Sequence, residues 1–137
     1  VTGATHSSDT FKELAKEALA GSPVEATGEY IDGLYKAADD DFDDHGWKGM
    51  AAVLVRDGKV AVAAYDEINK DGVYKSTDEE YAKNMKDKSG ITPAEAIEVL
   101  SKSIIDKQDA EVDSVTGATG TAERFKALMG EALSLAK

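Results

Sequence analysis

Apolar residues at Phe11, Leu14, Ala15, Ala18 and Leu19 recur with the period of about 3.6 residues that marks an amphipathic helix. The same spacing returns near the C-terminus at Phe125, Leu128, Met129, Ala132 and Leu133, which predicts a second such helix. Between them the pattern changes. Residues 50–56 and 59–65 are dense in Val, Ala and Leu, with apolar side chains at both parities. Asp57-Gly58 joins the two runs, and Asp-Gly between strands signals a tight hairpin whose turn needs positive φ. Apolar character on both faces predicts a hairpin at the centre of its sheet, covered by helices. Upstream, residues 29–37 read as a strand, with Tyr30, Ile31, Leu34 and Tyr35 around Gly33.

Two further helices complete the pattern. Thr77-Asp78-Glu79-Glu80 caps one that carries Tyr81 and Met85 a turn apart and stops at Ser89-Gly90. Thr92-Pro93-Ala94-Glu95 is a capping box with proline at the first helical position. That helix runs to about Gln108, with Ile97, Leu100, Ile104 and Ile105 as its buried stripe. The expected fold is α+β, a curved and mainly antiparallel sheet with a central hairpin, packed by helices.

Residues 1–19 align with residues 115–133, sharing Val-Thr-Gly-Ala-Thr, a Phe-Lys pair and a Glu-Ala-Leu ending. This internal repeat of a domain terminus divides the chain into residues 1–22, the closing motif and helix of a preceding repeat, and residues 23–137, one domain. A start at Val1 rather than Met agrees with a mature or trimmed fragment.

Composition narrows the function. At 137 residues the chain suits one core, and no apolar run reaches the length of a membrane span. A net charge of −11 repels nucleic acid and anionic lipid. No cysteine is present, which removes thiol chemistry and thiolate metal sites. Asp39, Asp40, Asp41, Asp43 and Asp44 suggest calcium, but consecutive aspartates cannot all turn inward, and a solvated acidic loop is the preferred reading. Neighbouring Phe42 and Trp47 read as satellite core. A calcium loop starting at Asp66 fails at Ile68 and Thr77. His6 and His45 are isolated, so no metal site is expected. No serine nucleophile or carboxylate pair stands out.

The remaining feature is Asp113-Ser114-Val115-Thr116-Gly117-Ala118-Thr119, directly before the last helix. A helix N-terminus presents free N–H groups and a favourable dipole to an anion; a plain helix cap is the bland alternative. Too little chain follows for a dinucleotide-binding βαβ unit, and the Gly-Lys-Ser/Thr of a P-loop is missing.

The motif resembles the Asp-x-x-Ser/Thr-Gly-Ala-Thr signature of FMN-binding domains, matched here by Asp113, Thr116, Gly117, Ala118 and Thr119. Asp32-Gly33-Leu34-Tyr35 is similar to the family's opening strand. Tyr65 to Gly72 and Lys75-Ser76 are similar to its lipoprotein branch. The resemblance implies FMN joined to Thr119 through a phosphoester, added by an FMN transferase that uses FAD. It further implies that Asp113 and Thr116 are read by the transferase, and that Gly117 and Ala118 give the phosphate room. Asn69, Ser76, Tyr81 and Met85 are candidate flavin contacts, although a pair such as Tyr81 and Met85 is more often core. Thr5 is a second candidate acceptor, expected to be empty because its motif lacks the upstream Asp.

The implied function is electron transport: an extracytoplasmic flavoprotein domain for extracellular electron transfer, more redox carrier than stand-alone enzyme. Its implied setting is a membrane-associated, cell-surface lipoprotein anchored outside this fragment, with a neighbouring repeat in the same chain. Its donor and acceptor are then membrane or cell-surface partners. The alternatives are a non-catalytic binding module without cofactor and a flavin-dependent reductase domain.

Overall fold

The computed structural model describes residues 30–137; Thr5 and the assignment of residues 1–22 to a preceding repeat lie outside the described residues. Three strands form one antiparallel sheet in the order β1 (Gly33–Ala38), β2 (Trp47–Arg56) and β3 (Lys59–Asn69). A 3-10 turn at Lys75–Thr77 leads to helices α1 (Glu79–Ser89), α2 (Pro93–Lys107) and α3 (Thr119–Ser134). The architecture is α+β. No described helix is long and apolar enough to cross a membrane.

The hairpin forms as its turn residues require. Asp57 and Gly58 take φ of 55° and 76°, the pair of positive values that lets a two-residue turn follow the twist of its strands. Its placement differs from expectation. β2 is the central strand, but β3 lies at an edge among the described residues. The Gln108 amide blunts that edge: its Oε1 accepts from the Val60 N–H at 2.7 Å, and its Nε2 donates to the Val60 carbonyl at 3.1 Å. A side chain thus stands in for the next strand.

The two parities of β2 serve different neighbours. Ala51, Val53 and Val55 face a core built with Leu100 and Ile104 of α2 and Phe125, Leu128 and Met129 of α3. Ala52 and Leu54 belong to a second, smaller cluster with Leu34, Val62 and Ala64. Ile97 and Ile105 sit at the margin of the main core, and Ala96 takes the buried position beside Leu100 instead.

β1 begins at Gly33, later than expected, because the residues before it serve another purpose. The Tyr30 and Ile31 N–H groups donate to the carbonyls of Gly58 and Ala136, and Asp32 accepts from the Gly58 N–H at 2.8 Å. The chain entry thereby ties the hairpin turn to the C-terminal end. Helix starts follow their caps. Thr92 and Glu95 form the expected reciprocal box on α2, whereas α1 is capped by Asp78, which accepts from the Tyr81 N–H at 3.0 Å. Thr77 belongs to the preceding 3-10 turn.

Candidate functional site

The turn before α3 is shaped by Gly117. Its φ is 84°, and a Cβ there would come within 2.6 Å of the Ser89 carbonyl oxygen. The glycine is therefore needed for packing against the end of α1, and it also lines a hollow beside Thr119. Gly120 supplies the open space, since a Cβ at that position would meet nothing within 4 Å. The Ala118 N–H closes the turn on the Val115 carbonyl at 2.9 Å, and Ala118 itself is buried. Thr119 follows as the first residue of α3, exposed, and no side chain caps the helix. The leading N–H groups of a 16-residue helix are thus left facing outward with their dipole.

Beside Thr119 lies a hollow of about 570 Å³, within the size range of small-molecule sites, roughly 300–1,000 Å³. Gly117, Ala118, Thr119 and Gly120 line it together with Lys88 and Ser89, the latter packed directly against Gly117. Trp47, Tyr81 and Met85 supply an aromatic and thioether wall, the two rings meeting edge to face with centroids 5.5 Å apart. Tyr81 and Met85, a turn apart on α1, reach the hollow together because only that face of α1 is turned inward. Trp47 is buried and part of this wall, while Phe42 is exposed, so the two aromatic residues of the acidic loop part company.

Charged groups make the floor. Glu67 is 1% exposed and accepts from the Tyr65 hydroxyl at 2.8 Å, the Arg124 guanidinium at 3.1 Å and the Lys75 ammonium. Lys75 is itself buried, its Nζ 4.8 Å from the Trp47 ring centroid and 5.0 Å from that of Tyr81. Arg124 spans the floor, with Nε 3.2 Å from Asp39, one terminal nitrogen 2.6 Å from Asp43 and the other on Glu67. Gly49 makes this crossing possible, because a Cβ there would stand 2.7 Å from Arg124 Cδ.

The electrostatics follow from these contacts. Burial by itself would raise the Asp43 pKa, but the Trp47 N–H, the Arg124 guanidinium and the His45 N–H hold it down to about 2. Burial pushes the Tyr65 phenol well above its ordinary range, and the adjacent Glu67 charge adds to that. Arg124 is desolvated, yet the Asp43 hydrogen bond and the nearby Glu67 charge raise its pKa further.

Other sequence candidates stand elsewhere. Asp113 is exposed and pairs with Lys107 at 3.3 Å, and Thr116 is exposed outside the hollow. Asn69 accepts from the Asp71 and Val73 N–H groups, both at 3.0 Å, which closes its own loop. Ser76 donates to Asp66. The side chains of Asn69 and Ser76 are thus committed to the loop after β3, and neither lines the hollow.

The acidic loop is not wholly solvated, since Asp39 and Asp43 both bind Arg124. Sequence reasoning missed Glu67, Lys75, Lys88 and Arg124. One signal was available: Glu67 shares parity with core-facing Ala63 and Tyr65, and an acid at an inward strand position calls for a buried cation.

Comparison with known proteins sets this geometry in context. The FMN-binding domain family matches residues 46–134, which include every residue lining the hollow except Asp43 and His45. The 15 kDa lipoprotein of Treponema pallidum is 40% identical over 102 residues, covering 74% of this chain and 72% of the relative. The crystal structure of a Clostridium perfringens protein superposes with a TM-score of 0.76 at 38% identity, covering 78% of this chain and 88% of that one. A solution structure of a Clostridium thermocellum protein gives a TM-score of 0.50 at 27% identity, covering 75% of this chain and 89% of that one.

Proposed function

The chain belongs to the FMN-binding domain family, and from that premise we propose that it is an electron-transfer domain carrying FMN covalently on Thr119. One observation carries the proposal. The Thr119 hydroxyl is on an exposed residue at the unshielded N-terminus of α3, on the rim of a hollow with an aromatic wall.

The residues present fit the group. The first N–H groups of α3 and Lys88 would hold the phosphate, whose remaining charge the helix dipole stabilises by about 0.3–1 kcal/mol. Trp47, Tyr81 and Met85 would cover the ring, and Glu67, Lys75 and Arg124 would line its floor. Bound FMN supplies reversible one- and two-electron chemistry, and the protein controls access and potential. Attachment balances as a transfer from FAD: the Thr119 oxygen displaces AMP at the flavin-side phosphorus, and the hydroxyl proton leaves with it. The transferase catalyses that step; this chain contributes the acceptor and its exposure. Asp113 and Thr116, both exposed ahead of α3, would be read by the transferase.

The description of the Treponema pallidum relative as a lipoprotein supports an extracytoplasmic, membrane-anchored setting, with a membrane or cell-surface donor and acceptor. A covalent bond keeps the flavin where free FMN is dilute. Co-expression with an FMN transferase tests the assignment. The expected product gains the mass of one FMN less one water and turns yellow; Thr119→Ala loses both, whereas Thr119→Ser retains them. An unchanged mass in the wild-type chain would leave a cofactor-free binding module as the better reading. Saturable turnover of a small acceptor would instead favour a reductase.

A further inference from the structure

We propose that Lys75 sets the electron affinity of the flavin, its buried ammonium being the cation that offsets negative charge gained by the ring on reduction. This rests on the flavin reading above.

Three features of the floor support it. Lys75 is a lysine 7% exposed, and burying a charge is expensive unless something requires it. Its acceptor, Glu67, also receives hydrogen bonds from Arg124 and from the Tyr65 hydroxyl, so three donors hold that carboxylate and fix where the Lys75 ammonium stands. The ammonium is also presented to the hollow between two rings, its Nζ 4.8 Å from the Trp47 centroid and 5.0 Å from the Tyr81 centroid. Aromatic faces attract a cation but accept hydrogen bonds less well than a carbonyl-rich heterocycle does. An isoalloxazine ring seated against Trp47 and Tyr81 would therefore share its wall with a fixed positive charge. A buried charge held in place acts more strongly than one in bulk water and needs little reorganisation when an electron arrives. Glu67 holds Lys75 in place and partly cancels it, so the pair together sets the net field.

The assignment has a signature in sign. Removing the ammonium lowers the potential, whereas removing the Glu67 charge leaves the ammonium less compensated and raises it. Redox titration of the FMN-loaded full chain, with intact mass recorded for each variant, provides the test. For Lys75→Met the reduced-to-oxidised ratio at fixed potential should fall about ten- to a hundredfold, roughly 30–60 mV downward for a two-electron couple. Lys75→Arg should stay near wild type, and Glu67→Gln should move upward.

An unchanged potential in Lys75→Met overturns the assignment, as do Lys75→Met and Glu67→Gln shifting in the same direction, which loosened packing alone would produce. If Lys75→Met does not fold, Glu67→Gln decides by itself, and an unaltered or lowered potential there rejects the idea. Normal mass gain with an unmoved potential defeats this inference alone; absence of mass gain in wild type defeats the covalent reading and this inference with it.

Discussion

Gly117 meets two constraints with one missing atom. Its φ of 84° lies where an L side chain is strained, and the space a Cβ would occupy belongs to the Ser89 carbonyl. Gly117→Ala should therefore cost on the order of 2–4 kcal/mol, the sum of left-handed strain and forced displacement of the α1 terminus. Urea unfolding measures the loss, and flavin loading should fall with it because the turn presents Thr119. Asp43 gives a residue-scale prediction about pH. Its folded pKa, about 2, lies below the ordinary 3.8. A depressed carboxylate pKa contributes stability that is present above the unfolded pKa and lost as pH falls through the folded one. Asp43→Asn should thus be less stable than wild type at neutral pH by about 1–2 kcal/mol. The gap should narrow as pH falls from about 4 towards 2, as parallel denaturation curves would reveal.

At the scale of elements, helices α1 and α2 make a corner that presents Tyr81 and Met85 to the hollow. α2 starts on a closed box, in which Thr92 Oγ1 accepts from the Glu95 N–H at 3.2 Å and Glu95 accepts from the Thr92 N–H at 2.8 Å. Lys86 of α1 reaches the same Glu95 carboxylate at 2.9 Å, joining the two helices on the solvent side. Thr92→Ala should cost about 1 kcal/mol in urea unfolding. Because Thr92 does not line the hollow, flavin loading should persist. α3 differs from α2 at its start: no side chain satisfies its first N–H groups, although the family motif places a threonine there. A helix left uncapped beside a hollow is suited to a ligand, whereas a capped one is finished structurally.

Across the whole molecule, one cation on α3 gathers acids from three places. Arg124 takes Asp39 from the end of β1, Asp43 from the following loop and Glu67 from β3, and Lys75 joins through Glu67. Most of the local structure was legible in the sequence because its causes lie within a few residues. The Asp57-Gly58 turn, the Thr92 box, the stop at Gly90 and the apolar stripe from Phe125 to Leu133 each depend on neighbours in the chain. The motif ending at Thr119 was legible for the same reason, as a short contiguous string before a periodic helix. What tertiary structure alone decided was the floor of the hollow and which face each element lends to it. Arg124 and Asp43 are far apart in sequence, so nothing local distinguishes Asp43 from the neighbouring solvated aspartates. A capping residue carries its own reason in the adjacent backbone, but a buried charge has its reason in a partner that only the folded chain brings near.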